Sequence, residues 1–186
     1  MKSKLFVIAG PSGVGKGTII KELLKNNDSL ELSVSSTTRK PRPNEIDGIN
    51  YNFLTEEEFQ KAIDADEFLE WAVYNKNHYG TSKTVVDNAL KNGKSIILEI
   101  EIQGAVQIME KCKDAVFIFI LPPSYEELEN RLRGRNTEDE QTIQNRLRIT
   151  QKELEAGKKF KYSVVNDTIK NAVSKIRDII KKECEC

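Results

Sequence analysis

Apolar residues along the chain follow two rhythms that take turns. Near-continuous apolar runs at 5–9, 95–100 and 115–121, and a shorter one at 162–165, read as strands covered on both faces. Between and around them, apolar residues recur every three or four positions. That spacing predicts helices over 16–25, 82–92, 103–111, 124–133, 142–156 and 169–183. In the first of these, Ile19, Ile20, Leu23 and Leu24 share one side. The alternation is that of βαβ units, so the expected fold class is α/β, a parallel sheet with helices on both faces.

The rhythm breaks between residues 33 and 81, where short strand-like pieces at 32–36, 51–54 and 68–74 surround one helical segment, 56–65. A small β-rich subdomain inserted at 33–81 is expected. A polar stretch at 134–141 joins two Arg-bearing helices and suits a helical lid over 134–156. The core then comprises 1–32, 82–133 and 157–186, and the 186 residues form one domain with two appendages.

Charge narrows the function classes. The 29 Lys and Arg balance the 29 Asp and Glu, so no general affinity for nucleic acid is expected, and 38% hydrophobic residues argue against disorder. The longest apolar run, 115–121, falls far short of the roughly 20 residues that span a bilayer, and no signal peptide is expected at the start. Three cysteines, Cys112, Cys184 and Cys186, suggest a reducing compartment, by default the cytoplasm, with the last two in an exposed, frayed tail. His78 is the single histidine, which excludes a His-rich metal site, and its polar neighbours Asn75, Lys76 and Asn77 predict a solvated loop.

The strongest chemical signal is Gly10, Pro11, Ser12, Gly13, Val14, Gly15, Lys16, Gly17, Thr18, placed directly after a strand and directly before an amphipathic helix. Glycines let successive backbone N–H groups turn inward, the helix N-terminus adds partial positive charge, and Lys16 reaches the outer phosphates of a nucleoside triphosphate. Gly17 stands where a hydroxyl is usual, with Thr18 next. Direct metal ligation by the loop is therefore not expected. The guanine-reading N/T-K-x-D pattern of GTPases is absent, since Asn166, Asp167, Thr168 and Ile169 lack the lysine.

A second anion site is indicated in the insert, where Arg39 and Arg42 lie three residues apart in a stretch stiffened by Pro41 and Pro43. A solvated charge run is the plain alternative. Downstream, Tyr51, Tyr79 and Thr81 supply hydroxyls and Glu70 a carboxylate. Guanine presents N1–H and N2–H₂ side by side, which one carboxylate accepts together, whereas adenine offers an acceptor at N1; Glu70 is thus either a guanine reader or an ordinary strand residue.

Taken together these stretches, with Phe68 to Trp71, Tyr79 to Thr81, Gln103 to Ala105, Leu121 to Ser124, Arg131 to Arg135, Arg146 with Leu147, and Val165 to Asp167, resemble a guanylate kinase of the nucleoside monophosphate kinase family over essentially the whole length. The resemblance implies ATP and GMP, with dGMP as a further acceptor, as substrates, and Mg²⁺ as cofactor. It implies that residues 10–18 and Asn166 bind ATP, with Asn166 near the adenine. Ser35, Glu70, Glu101 and Thr81 would face guanine, and Arg39, Arg42, Tyr51 and Tyr79 would hold the GMP phosphate. Lys16, Arg39, Arg131, Arg135 and Arg146 would act on the transferring phosphoryl group, while Arg133 and Arg148 remain exposed helix residues. Mg²⁺ would be held by phosphates and water, with Thr18 or Glu99 behind a water. Two alternatives stand beside this reading: non-catalytic scaffold domains of the same family, which typically lose the phosphate loop, and a kinase for another monophosphate, which would set aside the guanine roles of Glu70 and Glu101. Asn44 and Asn136 stand where the family has glycine, Ser82 where proline is common, and Glu99 and Glu101 where aspartate is common; Asn suits a left-handed turn.

Overall fold

The computed structural model describes residues 2–25, 27–133 and 140–185, with positions 131, 132, 142, 143, 145 and 146 described by backbone alone. Its main sheet is built from β1 (Leu5–Ala9), β2 (Leu30–Leu32), β7 (Ser95–Glu99), β8 (Val116–Leu121) and β9 (Tyr162–Val165). All pairings are parallel, in the order β2-β7-β1-β8-β9. Successive side chains of a strand point to opposite faces. Accordingly Phe6 and Ile8 join one apolar cluster, with Ile19, Ile20 and Leu23 of α1 (Lys16–Leu24) and Ala172, Val173 and Ile176 of α7 (Ile169–Glu185). Leu5, Val7 and Ala9 join the other, with Val86 and Ala89 of α3 (Lys83–Lys91) and Ala105 and Ile108 of α4 (Ile102–Lys111). Because both faces are covered, the strands can be apolar at every position, as read from the sequence.

The insert forms a second sheet, β4-β3-β6-β5, from β3 (Ser36–Thr37), β4 (Asn52–Phe53), β5 (Phe68–Tyr74) and β6 (Asn77–Ser82). Its helix α2 (Glu56–Asp64) opens on a capping box in which Thr55 and Glu58 satisfy each other's backbone N–H. Phe59 of α2 is buried and stacks on Phe68, ring centroids 4.5 Å apart. Beyond the core strands, α5 (Tyr125–Arg133) and α6 (Glu140–Gly157) follow β8. The guanidinium of Arg133 pairs with Glu129 and Glu140, tying α5 to α6. Arg148 is exposed. Among the described residues no helix is long and apolar enough to cross a membrane.

Three sequence expectations are corrected. The piece read as one strand at 32–36 is divided, since Leu30–Leu32 joins the main sheet beside β7 while Ser36–Thr37 joins the insert. His78 is not in a loop. It lies on β6, which pairs on both sides, and its Nδ1 stands 2.8 Å from Glu56 Oε2 while its ring meets Phe59 and Trp71. The hairpin turns at Asn75 and Lys76, both with positive φ, as a two-residue hairpin loop requires. Nor is the C-terminus frayed at Cys184: α7 continues to Glu185, Cys184 is buried, and its carbonyl accepts from Lys2 N–H at 3.0 Å. Cys186 lies outside the described residues.

Candidate active site

The carboxyl ends of β1 and β7 open into a cleft of about 550 Å³, the position at which open parallel sheets bind ligands. Its first wall is the turn from β1 into α1. Gly15 adopts φ +94 there, a conformation other residues avoid, and an added Cβ would come within 2.7 Å of Asn166 Nδ2. No side chain caps α1, so its first N–H groups face outward as an anion site. Lys16 Nζ donates to the carbonyls of Gly10 at 2.6 Å and Pro11 at 3.3 Å, which holds the ammonium across the mouth of the loop. Ser12, Gly13, Gly17 and Thr18 also line the cleft.

Across from the loop stands the insert. Arg39 Nη2 donates to Glu45 Oε1 at 2.9 Å, and its guanidinium lies over the rings of Tyr51 and Phe53, 5.3 and 5.8 Å from their centroids. Tyr51 and Tyr79 meet edge to face at 6.0 Å. Arg39, Arg42, Tyr51, Tyr79 and Ser35 all line the same cleft as the loop. Deeper in, Glu70 of β5 is 4% exposed and accepts from Thr81 Oγ1 at 2.6 Å. Burial, helped by the nearby charge of Glu101, pushes its carboxyl up to about 7. Glu101 is the N-cap of α4, accepting from Gln103 N–H at 3.0 Å and Gly104 N–H at 2.9 Å.

The combination of a triphosphate-type loop with a second cationic pocket in one cleft has relatives. The guanylate kinase family model matches residues 2–183. The chain is 50% identical over 182 residues to the guanylate kinase of Clostridioides difficile strain 630, covering 98% of this chain and 89% of that one. With the guanylate kinase of Clostridium perfringens strain SM101 it shares 51% over 179 residues, 96% and 83% of the two chains. The chain belongs to the guanylate kinase family. The crystal structure of guanylate kinase from Anaplasma phagocytophilum superposes with a TM-score of 0.81 at 30% identity, over 98% of this chain and 87% of that one.

For a guanylate kinase family member, most of the residues singled out from sequence gather in this cleft, with some differences of placement. Pro11 and Val14 are buried and do not line it; the Val14 side chain belongs to the core beneath α1. Asn166, expected beside a base, is 3% exposed and sits behind the loop, its Nδ2 donating to Val14 O at 2.7 Å. Its Oδ1 finds no partner among the described residues. Arg135 and the side chains of Arg131 and Arg146 lie outside the described residues. Asn44 has φ +69, as its place in the family's glycine position requires.

Two carboxylates went unnoticed in the sequence. Glu45 bridges Arg39 and the Arg42 N–H, the latter at 2.7 Å, and although burial opposes its charge these partners hold its carboxyl below the ordinary value. Its position three residues after Arg42, in a Pro-rich turn, was the available signal. Glu153 of α6 is buried, lines the cleft and is raised by burial, with Lys16 and the Ser12 N–H favouring its charged form. Nothing in the pattern of α6 distinguishes it from the helix's other glutamates.

Glu99 ends β7 facing the loop, and a Cβ placed on Gly17 would stand 3.8 Å from its carboxylate oxygens. Burial raises its carboxyl while Lys16 opposes the rise. Among the described residues no three His, Cys, Asp or Glu side chains cluster as a metal cage. One carboxylate and one hydroxyl, Thr18, beside an anion loop suit Mg²⁺, which keeps its waters and relies on substrate phosphates.

Proposed function

We propose that the loop half of the cleft holds the triphosphate of ATP, that the insert half holds GMP, and that the chain carries out ATP + GMP ⇌ ADP + GDP by direct in-line transfer. The family makes the chain an ATP:GMP phosphotransferase; the residue roles are our reading. The observation that carries it is that Lys16 and the α1 N-terminus share one cleft with Arg39, Arg42, Tyr51, Tyr79 and Glu70. Two polyanions repel, so the chain's principal task is to hold them end to end with cations between.

In this reading Arg39 and Arg42 grip the GMP phosphate, with the Tyr51 and Tyr79 hydroxyls completing its hydrogen bonds. Glu70 and Glu101 accept from guanine, with Ser35 beside them; Thr81 acts on Glu70 rather than on the base. The acceptor oxygen of GMP is already an anion, so no general base is needed. Lys16, with Arg131, Arg135 and Arg146, neutralises charge developing on the transferred group. Mg²⁺, when bound, adds charge neutralisation on the ATP phosphates, with Thr18 and Glu99 placed to hold its water shell. Asn166 fixes the loop through the Val14 carbonyl. Nothing here distinguishes a ribose from a deoxyribose acceptor, so dGMP is expected to serve as well.

The test is ADP formation from Mg·ATP with GMP, AMP, CMP and UMP in parallel and a no-acceptor control. Turnover confined to GMP supports both the reaction and the base-reading carboxylates. Turnover with a different monophosphate discards the guanine assignment, and ATP binding without transfer to any acceptor discards the catalytic reading in favour of a scaffold.

A further inference from the structure

Glu70 occupies the space that a side chain at position 104 of α4 would fill. A Cβ built on Gly104 would stand 2.9 Å from Glu70 Cδ and nearer still to its Oε2. The backbone on either side of Glu70 is pinned to the same helix: Gln107 Nε2 donates to Trp71 O at 2.7 Å and Lys111 Nζ to Leu69 O at 2.8 Å. The strand therefore cannot retreat from α4 without breaking those bonds. What can yield is the carboxylate, the far end of a flexible side chain.

Gly104 also serves the second carboxylate, since its N–H is one of the two donors that hold Glu101 at the N-cap. We propose that Gly104 is a positioning and specificity-determining residue for the nucleoside monophosphate: its bare Cα admits the Glu70 carboxylate, its N–H anchors the Glu101 carboxylate, and so it sets the spacing of the two groups that face the base. The proposal rests on the reading of Glu70 as a guanine contact. The helical, first-turn backbone of Gly104 is compatible with alanine, and beyond Glu70 the next atom an added Cβ meets is Ile100 Cδ1, at an ordinary 3.5 Å.

The consequence is a split between stability and recognition. Replacing a helical glycine by alanine normally favours the helix, so Gly104→Ala should melt no lower than the parent. Its carboxylate displaced, it should show a KM for GMP raised about tenfold or more, the loss typical of a spoiled charged hydrogen bond. The KM for ATP should stay within about twofold, because the partners Gly104 serves are Glu70 and Glu101 rather than the phosphate loop. Selectivity for GMP over IMP, which lacks the 2-amino donor, should fall with it.

The decisive measurement is a double-mutant cycle with Glu70→Asp, which shortens the side chain by the length the methyl takes up. In Gly104→Ala/Glu70→Asp the rise in GMP KM should be smaller than the product of the two single rises. Rises that multiply in full, an ATP KM that rises in parallel, or an unfolded Gly104→Ala protein would each overturn the proposal, the last because it would place the clash in rigid structure. Glu70→Gln, measured alongside, separates the two levels: if it leaves GMP KM at the parent value, the guanine reading itself is wrong, whereas a large rise there with a parent-like Gly104→Ala sinks only the role of Gly104.

Discussion

At the scale of single residues, charge placement decides what can be measured. Lys16 has its Nζ 2.6 Å from the Gly10 carbonyl, at the mouth of the loop, and among the described residues no other lysine lines the cleft. Lys16→Met should lower kcat by about 10² to 10³-fold, the scale of losing one preorganised charge-stabilising donor, while GMP affinity measured by calorimetry stays near the parent value. Near-native turnover would remove Lys16 from the mechanism. Glu70 gives a pH signature. Its carboxyl, raised to about 7 by burial, must be ionised to accept both guanine donors, so the protonated form that dominates below that value binds GMP poorly. KM for GMP should be flat above about pH 8 and rise by up to about tenfold per unit as pH falls below 7, the limiting slope of one proton. In Glu70→Gln that rise should vanish. A parent enzyme with a pH-independent GMP KM between 6 and 8 would contradict the assignment.

Elements follow from patterning where packing is two-sided and local, and escape it where pairing is long-range. Residues 5–9, 95–100 and 115–121 are legible as strands because helices cover both faces; β6 is not, because Asn77 and Gly80 disfavour strands, only Tyr79 and Thr81 of its residues favour them, and pairing with β3 and β5 on either side holds it. Likewise the phosphate loop reads directly, since its chemistry is contiguous, whereas Glu153 and Gly104 matter through partners distant in the chain. The C-terminal helix shows the same limit. The residues from 184 on read as a tail, yet Cys184 is buried, and beside it the buried Glu183 meets Lys161 at 2.6 Å, the Tyr162 hydroxyl at 2.5 Å and Lys4 at 3.4 Å, which hold its carboxyl down at about 2. A depressed carboxyl contributes stability that is fully present above the unfolded value, near 4.5, and is lost as pH falls through 2. Glu183→Gln should therefore cost on the order of 1 kcal/mol at pH 7, a fall of roughly 2 to 4 °C in Tm, and the two proteins should converge as the pH approaches 2. A gap that persists undiminished under acid would show that shape, not charge, is what the substitution removes.

For the molecule as a whole, the parallel sheet and the inserted sheet matter because each contributes one wall of the same cleft, and neither wall is a complete site. In the proposed reading the loop side offers cations and N–H groups to a triphosphate, and the insert side offers Arg39, Arg42 and the buried Glu70 to a second nucleotide. On that reading, ATP bound alone would leave the insert half of a cleft of about 550 Å³ open to water beside the phosphoryl group to be transferred. An enzyme built this way avoids wasteful hydrolysis only if the reactive arrangement forms once GMP has displaced that water. Two consequences are expected together. ADP formation from ATP without acceptor should run at no more than about 1% of the rate with saturating GMP, since transfer needs both the aligned acceptor and the dry site. In small-angle scattering the radius of gyration should fall most when GMP and a non-hydrolysable ATP analogue are both present, and less with either alone. Removing the phosphate grip by Arg39→Ala should abolish the extra compaction at GMP concentrations that saturate the parent, because the insert then loses its main charge contact with the second nucleotide. Rapid ATP hydrolysis without GMP, or full compaction by ATP analogue alone, would mean that the loop half assembles the reactive geometry by itself and that the insert serves only to choose the acceptor.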